Sequence, residues 1–147
     1  MKCFIRTKNA YSASEIIKSK LNGGHAVVPT MGGKPIEISV SEDGKFINGD
    51  KIPNNTYDFT VFDKIADLLS KNGGKAKKGS SKGLKLGDEK CDESTVVGYI
   101  GKNYFGKKIG ESVPDHVSAL SAIMAWAGIA INKRGELELT YSFKNNF

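Results

Sequence analysis

Residues 71–90 read KNGGKAKKGSSKGLKLGDEK, twenty positions with seven lysines, two acids and almost nothing apolar. This stretch constrains the fold more than any other. On either side lie segments of helical period, each apolar along a single stripe. A helix with one apolar stripe must bury it against a partner. The core therefore has to close across the lysine-rich stretch, which predicts an exposed, mobile loop over 73–90 within one folded unit rather than a linker between independent domains.

The flanking patterns are explicit. TVFDKIADLLSKNGG (60–74) sets Val61, Phe62, Ile65, Leu68 and Leu69 on one face, with Thr60 and Asp63 as a cap and NGG as the stop. DESTVVGYIGKNYFGKK (92–108) repeats the period through Val96, Val97, Ile100, Tyr104 and Phe105, predicting a helix over 94–106. Gly98 and Gly101 inside it each cost about 1 kcal/mol of helix propensity. That cost points to a neighbouring backbone passing close by, or to a helix that depends on tertiary support. PDHVSALSAIMAWAG (114–128) aligns Val117, Leu120, Ile123, Met124 and Ala127, predicting a helix over 114–127 with Trp126 partly off the stripe, as a packing residue. IAINKRGELELTYSF (129–143) alternates with period two around NKRG, a hairpin whose Gly135 supplies positive φ and whose tip is basic.

The N-terminal part is predicted as a short strand at 3–6, then a helix over 11–24 with Ser12 and Glu15 as a capping box and Ala13, Ile16, Ile17 and Leu21 on one face. Strands follow at 25–30 and 35–41, with a return strand starting at 46–47 after EDGK and a loop over 48–56. The fold class is α+β. An N-terminal αββ unit (1–56) packs with a C-terminal three-helix part (57–147).

Charge placement bears on function. The net charge is +6. Residues 71–108 carry ten lysines against Asp88, Glu89, Asp92 and Glu93, while the rest of the chain is balanced. Localised positive charge is the footprint of a polyanionic or acidic partner. Only two of the 22 cations are arginine, the better bidentate reader of guanine and phosphate, so base-specific recognition is disfavoured.

The order helix, helix, helix, basic hairpin resembles a winged helix-turn-helix domain. The resemblance covers about residues 57–143 and is carried by YIGKNYFG, HVSALSAIMAWAG and IAINKRGELELTY. It implies that helix 114–127 takes the recognition position, with His116, Ser118 and Ser121 within reach of base edges. Lys133 and Arg134 would meet phosphate from the wing, and Lys102, Lys107 and Lys108 would meet it beside the turn. Lys75, Lys77, Lys78, Lys82 and Lys85 would form an arm of sequence-independent attraction. The recognition-position helix has no Arg, Lys, Asn or Gln, and Asp115 would repel phosphate, so it is either a weak reader or a packing and dimerisation helix. The expected function is a non-enzymatic DNA-binding or regulatory protein with phosphate-dominated contacts, compatible with a homodimer. The alternative is a protein-interaction module, an inhibitor or adaptor, that meets an acidic partner surface.

Other chemistries find little footing. GKAKKGSS (74–81) lacks the lysine directly after the second glycine that a phosphate loop needs. His25 and His116, with Cys3 and Cys91, are too scattered for a zinc knuckle, so no metal and no cofactor is expected. The start MKCFIRTKNAYSASE has no apolar core of a leader peptide, and no apolar run approaches membrane-spanning length. A cytoplasmic location without membrane contact is the expectation.

Overall fold

The computed structural model describes residues 11–144. The strand expected at 3–6 lies outside them. The chain enters through a capping box: Ser12 Oγ accepts the Glu15 N–H, while the Glu15 carboxylate accepts the Ser12 N–H at 2.8 Å. This starts α1 (Ala13–Leu21), which buries Ala13, Ile17 and Leu21 and ends on Asn22 in the left-handed region.

A four-stranded antiparallel meander follows: β1 (His25–Val28), β2 (Ile36–Val40), β3 (Phe46–Gly49) and β4 (Ile52–Asp58). The fourth strand corrects the loop expected over 48–56. Pro53, Asn54 and Asn55 are poor strand formers, but β4 is an edge strand, where a missing proline N–H breaks no ladder. Asn48 Oδ1 accepts the Asn55 N–H at 2.8 Å, carrying the pairing past an irregularity in the β3–β4 ladder.

Next comes α2 (Thr60–Lys71), which buries the expected stripe of Val61, Phe62, Ile65, Leu68 and Leu69. The expected cap is different. Asp63 reaches across to accept the Ser14 N–H at 2.9 Å and so ties α2 to α1, while Asp58 accepts the Thr60 N–H. Strand β5 (Lys75–Lys77) follows at once, then a single 3-10 turn at Glu89–Cys91 and α3 (Val96–Asn103). Thr95 Oγ1 caps α3 by accepting the Gly98 N–H at 3.1 Å. Of the two glycines of α3, Gly98 meets a neighbouring backbone and Gly101 meets a side chain. A Cβ at Gly98 would stand 1.9 Å from the Asp92 carbonyl oxygen, and one at Gly101 would stand 2.4 Å from Val113 Cγ1.

The chain ends in α4 (Val117–Trp126), the hairpin β6 (Ala130–Lys133) with β7 (Glu136–Leu139), and the short helix α5 (Tyr141–Lys144). Residues 141–143 thus leave the hairpin that the alternation suggested. Thr140 starts the turn of helix, its Oγ1 accepting the Phe143 N–H at 3.2 Å. The second sheet has the order β5–β7–β6, all antiparallel. One hydrophobic cluster runs from Ala13 to Phe143, so the two parts share a core. Among the described residues no helix is long and apolar enough to cross a membrane.

Candidate nucleic-acid interface

The first five expected contacts divide as soon as β5 forms. Lys75 and Lys77 are exposed on either side of buried Ala76, so they belong to a strand and not to a mobile arm. Their register places Lys75 opposite Glu138 and Lys77 opposite Glu136, with Ile131 and Lys133 beyond on β6. The exposed face of this sheet is therefore a lattice of alternating charge. Lys75 Nζ lies 3.8 Å from Glu136, and Lys133 Nζ donates to Glu138 Oε1 at 2.6 Å. The hydrogen bond and charge of Lys133 hold the Glu138 carboxyl below the usual carboxylate range. Lys75 and Lys133 therefore support cross-strand pairing before anything else. At the tip, Arg134 is exposed, next to Gly135 at φ +75°.

The lysine-rich loop is packed, in contrast to the mobile arm expected. Lys78 O accepts the Val97 N–H at 3.0 Å and Lys90 O accepts the Ser80 N–H at 2.7 Å. Leu86 is buried, exchanges backbone hydrogen bonds with Gly110 and Glu111, and pins the loop against residues 109–111. Gly79 is required where it stands: at φ +75°, its Cβ would fall 2.6 Å from both Lys90 O and Thr95 Cβ. Lys82 and Lys85 remain exposed, and Lys85 Nζ bonds to Ser112 Oγ at 2.7 Å. Exposed Lys108 and half-buried Lys107 lie on the facing loop. Asp88 Oδ2 accepts the Lys85 N–H, Glu111 Oε1 accepts the Lys108 N–H and Asp115 Oδ2 accepts the Ser81 N–H, so three carboxylates offset much of the local positive charge. Lys102 is engaged with Glu93 at 3.0 Å.

The helix expected in the recognition position is enclosed. Ser118 is the one exposed side chain of α4, and Val117, Ala119, Leu120, Ser121, Ala122, Ile123 and Met124 are all buried. Strand β6 packs along it, and α1 and β1 of the N-terminal part also lie against it. This leaves no free face to enter a major groove. The composition explains the outcome, since a helix apolar all round is a core helix. Trp126 is half-buried at its end, with the Lys20 ammonium 5.0 Å from the ring centroid. His116, at the helix start, faces inward: Nδ1 lies 2.7 Å from the Tyr57 hydroxyl, and the imidazole packs edge-on against that ring. Burial lowers the His116 pKa, with Asp115 opposing, and burial raises that of Tyr57. Both groups are thus held neutral.

The enclosure of α4 creates a cleft. One part, about 630 Å³, lies between the β1–β2 loop, the β3–β4 turn, the residue after β5, the start of α4 and β6. It is lined by Lys34, Lys51 and Lys78, with Asp50, Ser118 and Asn132. A second part, about 580 Å³, shares Lys51, Ser118 and Ala119 and continues to His116. Burial holds the Lys78 ammonium below the ordinary lysine pKa, and its Nζ touches Met31 Sδ at 3.6 Å. Of the expected contacts, the structure brings Lys78, Ser118 and His116 to this cleft. Lys34, Lys51 and Asn132 were not among those contacts, because loop, turn and strand come together there only on folding.

Comparison of the chain with protein-family models, with curated proteins and with solved structures finds no match in any of the three.

Proposed function

We propose that this protein is a non-enzymatic nucleic-acid-binding protein whose C-terminal part is a module of winged-helix type and whose contacts are dominated by phosphate. The observation that carries the reading is connectivity. The order α2, β5, α3, α4, β6, β7, with β5 paired to the last strand in the order β5–β7–β6, is the wiring such a module needs. The enclosure of α4 turns the reading away from base recognition and toward the backbone, since phosphate contacts position a protein without carrying sequence information. The cations available for this are Lys77, Lys82, Lys85, Lys107, Lys108 and Arg134, none of which has a carboxylate within 4.0 Å among the described residues.

A test is duplex-DNA binding by fluorescence anisotropy across a salt series. Phosphate-dominated binding gives log K falling linearly with log salt, by about 0.9 per phosphate neutralised. Replacing Lys82, Lys85, Lys107, Lys108 and Arg134 with glutamine should flatten that slope, and scrambling the DNA sequence should leave affinity nearly unchanged. Absence of binding at low salt would discard the proposal. That outcome would favour a protein-interaction module facing an acidic partner, which the partly offset charge around Lys85 and Lys108 also suits.

A further inference from the structure

We infer that the cleft between the meander and α4 is a binding site for a phosphomonoester group, of the kind carried by a mononucleotide or by the end of a nucleic-acid strand. Three lysines from separate elements, Lys34, Lys51 and Lys78, line a single cavity of about 630 Å³. That volume lies within the usual range for small-molecule sites. None of the three has a carboxylate within 4.0 Å among the described residues. One acid shares the cavity, Asp50, whose Oδ2 accepts the Glu37 N–H at 2.9 Å, so the three lysines still leave the lining net positive. Lys78 is half-buried, and its ammonium meets a thioether where a charged group would be expected to find an anion. Lys77, Lys82, Lys85, Lys107 and Lys108 are likewise without a carboxylate within 4.0 Å among the described residues, but none of them lines this cavity. A concave site that gathers unanswered cations is built for more negative charge than the chain supplies.

The rest of the wall says what accompanies the charge. Asn132 presents an amide whose Oδ1 is buried with no hydrogen-bond partner among the described residues, an acceptor left over for a hydroxyl or amino group. Met31, Ile36 and Ala119 add an apolar surface for an uncharged body. A dianionic phosphomonoester on a part-apolar carrier with a hydrogen-bond donor matches each of these. This site is separate from the exposed cations of the wing-like part, and it stands or falls independently of duplex binding.

The experiment titrates the full chain by calorimetry at low salt with adenosine monophosphate, adenosine, inorganic phosphate, and a short single strand with or without a 5′-phosphate. Binding of the monophosphate or of the 5′-phosphorylated strand, with none for adenosine or the unphosphorylated strand, is the expected result. Whichever of the two binds identifies the source of the phosphate. Lys34→Gln, Lys51→Gln and Lys78→Gln should each weaken binding about tenfold or more, while K82Q/K85Q/K107Q/K108Q should leave it unchanged. Amide shifts mapped by NMR on the unaltered protein must centre on residues 31–36, 50–51, 78, 118–119 and 132, which keeps the test valid should a variant unfold. Failure of all the phosphate probes to bind, or shifts centred elsewhere, would overturn the assignment whatever the DNA result.

Discussion

Replacing Gly98 by alanine sets helix propensity against tertiary packing, and the structure decides the sign. By propensity alone the change stabilises α3 by about 1 kcal/mol. The added methyl would lie 1.9 Å from the Asp92 carbonyl oxygen, 2.4 Å from its carbon and 2.7 Å from Cys91 O. Favourable carbon contacts need about 3.5 Å or more. All three obstacles are backbone, so relief requires moving residues 91–92 as a unit. Asp92 O accepts the Thr95 N–H at 3.0 Å and the Thr95 hydroxyl at 2.7 Å, and both bonds would stretch. Two weakened hydrogen bonds cost about 2 kcal/mol, and the overpacking costs about 2 kcal/mol more. Less the propensity gain, the net loss is about 3 kcal/mol. At about 3 °C per kcal/mol for a chain of this size, the melting temperature should drop by about 9 °C. Urea unfolding followed by circular dichroism measures this as a lower midpoint at unchanged slope. Gly101→Ala is the internal comparison. Its nearest obstacles are Val113 Cγ1 at 2.4 Å and Val113 Cβ at 2.9 Å; a χ1 rotation clears the first but not the second, so G101A should also lose stability, though less than a clash with three backbone atoms. A G98A protein as stable as the parent, or more so, would show that the 91–92 strap does not lie where it is placed and that the packing argument is wrong.

Three further outcomes are expected. His116 has a lowered pKa, so the folded chain resists a proton that the unfolded chain accepts near pH 6.5. Its contribution is complete above about pH 6.5 and is lost as pH falls through the folded pKa. Denaturation midpoints across that window should fall less steeply in His116→Phe than in the parent, and parallel curves would refute the assignment. Glu136→Gln with Glu138→Gln removes the carboxylates between Lys75, Lys77 and Lys133, so duplex affinity should rise at low salt with little change in unfolding midpoint, because exposed pairs contribute little. Unchanged affinity would remove the β5–β7–β6 sheet from the proposed interface. Cys91 is buried with its thiol pKa raised mainly by burial, so mass spectrometry should find it unalkylated in the native protein and modified on unfolding. Rapid native labelling would contradict its burial.

Much of the local structure was legible from residue order. The Ser12–Glu15 box, the stripe of α2 and the turn at Gly135 follow from interactions within a few positions of one another, which any short window contains. Strand β4 was hidden because Pro53, Asn54 and Asn55 argue for a loop, and only its edge position in the meander makes those residues tolerable. The lysine-rich loop was misjudged for a related reason. Two leucines among seven lysines look negligible, yet Leu86 is buried and its backbone partners hold the segment down.

The sequence by itself determined where the four longer helices lie, how α1 is capped, and that the two glycines of α3 need close packing or tertiary support. Those are matters of short-range sterics and hydrogen bonding, and they survive without knowledge of neighbours. Only the tertiary structure decided what the charges are for. Lys75 and Lys133 became partners of glutamates through strand register, while Lys34, Lys51 and Lys78 met in one cleft although up to 44 residues separate them. An electrostatic interaction depends on distance and on the surrounding dielectric, and folding alone sets both.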